Sequence, residues 1–275
     1  MLMLFQLVEI ALPVAYLAIF ALYARQFLAR RDAGERFVGS PLLYGTLGVH
    51  ATYLALRGVE LSHFPVSSKG EFLSLLALAI GFIYALTERR HGEPNTGAFF
   101  VALTALAQTW SSLIIDPTAA HPLLHEHPIY GVHVILILLG FVGLAMSAIY
   151  ALMYVLLARQ LKSRDLGALF RRLPSLHTLE NMSRMATLAG ILLLGLGLVS
   201  GHFVAVYVLD DFSLLDPKIV ITYVAWAAYA VAFVVAKMRK LSGLRMGYLS
   251  LGGYLALIAS MVVVNTFFSS FHTFQ

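Results

Sequence analysis

The sequence predicts an all-α, polytopic membrane bundle of about eight transmembrane helices, and three observations carry that expectation. Of its 275 residues, 60% are hydrophobic and 12% charged, with a mean hydropathy of +0.82; a soluble domain is nearer a quarter charged. Apolar runs of helix length recur along the whole chain, which excludes a soluble domain on a single anchor. Basic residues collect in alternate loops between those runs, as cytoplasmic loops of membrane proteins do. The net charge of +5 and pI near 9.5 therefore point to a lipid bilayer and not to nucleic acid.

A span needs about 20 apolar residues. By that measure the spans fall at 4–24, 40–59, 71–88, 97–115, 130–158, 182–207, 217–237 and 246–270. The first lacks a basic leading region and a small-residue cleavage site and carries Glu9, so it reads as a retained span and not a cleaved signal peptide. The second holds His50 near its middle, in Gly48-Val-His50-Ala-Thr-Tyr53. The fourth holds Gln108, a candidate for an interhelical hydrogen bond, as Asn265 is in the eighth. Before the fifth, the stretch 116–129 is broken by Pro117, Pro122 and Pro128. Before the sixth, Ser175 is placed to cap a helix running into the span. No repeat or linker divides the chain, which reads as one membrane domain, 1–275.

The loops after spans 1, 3, 5 and 7 hold Arg25, Arg30, Arg31, Arg36; Arg89, Arg90; Arg159, Lys162, Arg164, Arg171, Arg172; and Lys237, Arg239, Lys240, Arg245. The opposite side holds Arg57, Lys69 and Lys218. Fifteen cations against three place the basic loops in the cytoplasm and both termini on the outer side of the membrane. There are no cysteines, so disulfides, thiolate metal sites and a covalent thioether to this chain are excluded.

On that topology seven of the ten histidines, His63, His121, His125, His127, His133, His202 and His272, fall at the outer ends of spans. Imidazole is a common metal ligand and a frequent axial ligand of haem iron. His133, three residues into span 5, and His272, at the end of span 8, enter from opposite chain directions at similar depth. Two neutral imidazoles on facing helices can clamp one haem iron; the plainer alternative is a pair of interfacial side chains. His202 is either a cofactor cap or an interfacial residue. His121, His125, Glu126 and His127 lie on a proline-broken loop with nothing to fix a metal geometry. His50, at mid-span, needs a polar partner and is a functional candidate on that ground. Arg57, Lys69 and Lys218 are the cations available to haem propionates, or else span-end side chains reaching the interface. Two other functions remain open: a proton- or solute-coupled transporter using His50 and the outer histidines, and a bis-haem electron carrier.

Several segments, in order from about residue 40 to the C-terminus, resemble the cytochrome c assembly protein family, the CcsA/HemX-like membrane proteins. They are Leu56-Arg-Gly-Val-Glu-Leu-Ser-His63-Phe-Pro through Lys69-Gly-Glu71-Phe-Leu, Gly131-Val-His133, Leu173-Pro-Ser-Leu-His-Thr-Leu-Glu180, Asp216-Pro-Lys218 with Trp226-Ala-Ala-Tyr229, and Gly243-Leu-Arg245 through Asn265 to Phe271-His272. The resemblance implies that His133 and His272 are outer axial ligands of haem b, flanking Asp216-Pro-Lys218. It further implies haem handling or transport in cytochrome c-type biogenesis, with apocytochrome c or other assembly proteins as partners. The family's tryptophan-rich stretch is missing: Leu209-Asp-Asp-Phe-Ser-Leu-Leu215 carries no Trp, and Ala232-Phe-Val-Val-Ala236 lacks the histidine of the synthases. The chain thus more closely resembles the compact YpjD-type inner-membrane proteins than the synthases that attach haem.

Overall fold

A computed structural model describes residues 2–28, 38–60, 66, 68–91, 94–115, 128–164, 167–208, 217–241 and 243–267. Every regular element among them is helical. They are α1 Leu2–Leu28, α2 Gly39–Glu60, α3 Lys69–His91, α4 Gly97–Ile114, α5 Pro128–Lys162, the short α6 Ala168–Arg172, α7 Leu176–Val208, α8 Pro217–Met238 and α9 Leu244–Phe267, with a 3₁₀ turn at Pro94–Thr96. In a bilayer only a helix or a closed barrel satisfies its own backbone, so apolar runs of this length become helices.

Seven of these helices are long and apolar enough to cross a membrane. The exception, α2, has the length at 22 residues, but His50, Tyr53 and Arg57 lower its average apolarity. All three are buried, so these three polar side chains of α2 face protein. Two helices are far longer than a span requires: α5 has 35 residues and α7 has 33. A membrane core takes about 20 residues, so both continue well past it. Pro128 opens α5 as its first residue, the position where a missing N–H costs nothing. Ser175 caps α7 as expected: its Oγ accepts from Thr178 N at 3.2 Å. Ser68 caps α3 in the same way, accepting from Glu71 N at 3.1 Å.

The chain forms two compact units. The first holds α1 to α4, the second α5 and α7 to α9. In the first, α1 presents Phe5, Leu12, Tyr16, Ile19, Tyr23 and Phe27 to the interior, a stripe at helical spacing. In the second, α5 and α7 run antiparallel along a seam of small residues. A Cβ on Gly140 would lie 2.7 Å from Leu194 N, one on Gly143 2.9 Å from Gly190 Cα, and one on Gly190 2.8 Å from Leu144 N. Backbones this close need residues without side chains, as membrane helices commonly arrange. Below the seam Ser147 bonds Ser183 at 3.1 Å and Thr187 at 2.5 Å. Gly190→Val is therefore expected to separate α5 from α7 and lower stability by about 1–3 kcal/mol, the usual cost of overpacking. A thermal melt of the detergent-solubilised protein followed by circular dichroism checks it; an unchanged Tm contradicts the seam.

Candidate functional site

The α5–α7 register runs Gly143 to Gly190, Gly140 to Leu194, Ile137 to Gly197 and His133 to Gly201. His133 thus sits at the far end of the seam, half-buried, with its ring against the α7 backbone. Its Nδ1 donates to the Gly197 carbonyl at 2.7 Å. A carbonyl only accepts, so Nδ1 carries the proton, and in the neutral ring Nε2 keeps the lone pair. In ligating histidines a backbone carbonyl commonly bonds the other ring nitrogen in this way and sets tautomer and ring orientation. Gly201 makes the room: a Cβ there would overlap the imidazole. Tyr130 flanks the ring with centroids 5.9 Å apart.

The expected partner of His133, His272, lies outside the described residues, which end with α9. Gly247 of α9 meets Val155 and Ala151 of α5, and Arg159 of α5 donates to the Tyr248 hydroxyl at 2.8 Å. The start of α9 is therefore beside the end of α5, and the two helices run antiparallel. From Gly247 to Phe267 the rise is about 30 Å, and from Tyr154 back to His133 it is nearly the same. The end of α9 comes level with His133, five residues before His272. His202, next to Gly201 on α7, is half-buried and makes an interaction of its own. Lys218 lies in the first turn of α8. His63, His121, His125 and His127 also fall outside the described residues. Among the described residues no group of three or more His, Asp or Glu gathers as a metal site.

His50 and Arg57 are both held by protein side chains. His50 is fully buried in a directed chain. Ser74 donates its hydroxyl to Gln108 Oε1 at 3.0 Å, so its Oγ accepts from His50 Nε2 at 2.8 Å. Nδ1 then accepts from the Tyr16 hydroxyl at 2.9 Å, and Gln108 Nε2 donates onward to Ser112 at 3.3 Å. Both ring nitrogens are engaged, and iron could take the lone pair only by displacing Tyr16. Gln108 serves the interhelical role expected of it. Arg57, expected near propionates, is fully buried and clamped between carboxylates: Nη1 to Glu9 Oε1 at 3.0 Å and Nε to Glu71 Oε1 at 2.7 Å. Tyr53 adds a bond to Glu9 Oε1 at 2.8 Å. The guanidinium thus serves two carboxylates of its own unit. A third buried carboxylate, Glu88, accepts from Tyr23 at 2.6 Å and from Ser40. Lys69 is exposed in the first turn of α3.

Gly197 and Gly201 carry no sequence expectation of their own, yet they build the seat of His133. The signal was present: Gly190, Gly197 and Gly201 fall on one helical face.

The protein-family model described as Cytochrome C assembly protein matches residues 39–272. Over 98 residues the chain is 34% identical to Protein HemX of Brevibacillus brevis, covering 36% of this chain and 36% of that protein. It is 22% identical over 252 residues to the cytochrome c biogenesis protein CcsA of one Prochlorococcus marinus strain, spanning 82% of this chain and 79% of that protein. For CcsA of a second strain the values are 25% over 250 residues, 80% and 79%. No solved structure matches the chain.

Proposed function

Because this chain belongs to the cytochrome c assembly protein family, we propose that it is a multi-pass membrane protein of cytochrome c biogenesis that holds haem b between His133 and His272 near the periplasmic face of a bacterial inner membrane. The observation that carries the haem assignment is the His133 seat, with Nδ1 tied to the Gly197 carbonyl and the lone pair on Nε2. The antiparallel approach of α9 supports His272 as the second ligand. Lys218, in the same unit as His133, is the cation proposed for a propionate. Haem supplies the redox-active iron. The chain's own residues orient an imidazole and shield one side of it with α7. Haem and, through it, apocytochrome c or another assembly protein are the partners this reading names.

Visible absorption of the detergent-purified full chain from haem-replete cells tests it. A Soret band with about one haem per chain is expected, lost in His133→Ala and strongly weakened in His272→Ala. Colourless protein that also fails to take up added haemin overturns the proposal.

A further inference from the structure

A cavity of about 580 Å³ lies where the end of α5 meets the turn between α8 and α9. Its lining is Tyr154 and Ala158 from α5, Arg239, Lys240 and Leu241 from the turn, and Leu244 and Arg245 from the start of α9. Three cations thus share one cavity with apolar side chains. Among the described residues none of the three forms an ion pair with a carboxylate. Glu180 is within electrostatic reach of Tyr154, and one carboxylate against three cations leaves the cavity positive.

The backbone of the turn gives a second, independent observation. Leu241 N donates to Ala236 O at 2.9 Å and Lys240 N to Lys237 O at 3.1 Å, which is the Schellman closure of a helix. That closure needs a left-handed residue at the position Lys240 occupies, where glycine is the usual choice. Lys240 sits there at φ 50°. A side chain at that φ costs free energy, so the turn keeps a cation where the backbone alone favours glycine. Gly243, at φ 65°, completes the reversal that brings Arg245 round to the same cavity.

We propose that this cavity binds the phosphate headgroup of an anionic phospholipid, with Leu241, Leu244 and Ala158 against the adjoining acyl chain. Basic pockets between membrane helices take anionic headgroups, and each nearby Lys or Arg is worth about 1 kcal/mol, close to fivefold in affinity. The site is separate from His133 and stands whether or not haem binds there.

Native mass spectrometry of the full chain released from micelles with equal phosphatidylglycerol and phosphatidylcholine tests the proposal. At least fivefold preferential retention of phosphatidylglycerol is expected. Arg239→Gln with Arg245→Gln should lower the ratio at least fivefold, and Arg239→Lys with Arg245→Lys should keep it. Lys240→Gly should lower retention about fivefold while raising Tm, a pairing that a purely structural lysine would not produce. Equal retention of both lipids by the unaltered chain, or full retention by Lys240→Gly, overturns the proposal. Complete displacement by millimolar inorganic phosphate overturns it too, in favour of a free-anion site.

Discussion

Gly201→Val is expected to remove haem as completely as His133→Ala does, although it leaves every candidate ligand in the chain. A Cβ at position 201 would occupy the space of the His133 ring, and valine adds two methyl groups to it. The ring cannot retreat along α5 and keep its 2.7 Å bond to the Gly197 carbonyl. Losing that bond frees the imidazole to rotate and to change tautomer. Loss of the group that hydrogen-bonds and orients a ligand typically costs about 10- to 100-fold in metal affinity, and displacement of the ligand itself costs more. Haem per chain, measured from the Soret band and a pyridine haemochrome assay, should fall at least tenfold. Gly252→Val is the control, because a Cβ at Gly252 meets nothing within 4 Å. A full Soret band in Gly201→Val would mean that His133 binds nothing in this pose.

How far such features can be read from sequence depends on the range of the interaction that creates them. The helices were legible because a bilayer demands length and apolarity locally, and the Ser175 cap because capping acts within three residues. Shared level along the helices was legible too: His133 and His202 do lie at the same end of the α5–α7 pair. Partners were not. Glu9 and Tyr16 stand seven apart on α1, and His50, Tyr53 and Arg57 recur at helical spacing on α2, so each sequence stripe shows a polar face. What that face meets is settled by packing between residues 34 or 48 apart in the chain. Arg57 illustrates the consequence. Its place near a span end is compatible with propionate binding or with an ion pair, and only the approach of α1 and α3 decides.

Arg57→Met is the substitution with the largest expected effect on stability. Methionine approximates the volume of the arginine stem but leaves the Glu9 and Glu71 carboxylates in the interior without their cation. Breaking a buried ion pair by removing one partner costs about 3–5 kcal/mol, a large share of the roughly 5–15 kcal/mol that holds a protein folded. For a chain of this size about 1 kcal/mol moves Tm by 2–4 °C, so a fall on the order of 10 °C is expected in a detergent melt. Glu9→Gln should cost much less, because Arg57 then retains Glu71 one to one and the Tyr53 hydroxyl can still bond the amide oxygen. The triple change Glu9→Gln, Arg57→Met, Glu71→Gln removes all three charges together and should recover most of the loss, since replacing a whole buried ionic group by neutral side chains is often close to neutral. The same variants distinguish this structural role from the propionate role that the sequence suggested. A clamp joining α1, α2 and α3 predicts that Tm falls while the folded fraction keeps its Soret band. A propionate partner predicts weaker haem binding at unchanged Tm, and that result would remove Arg57 from the clamp.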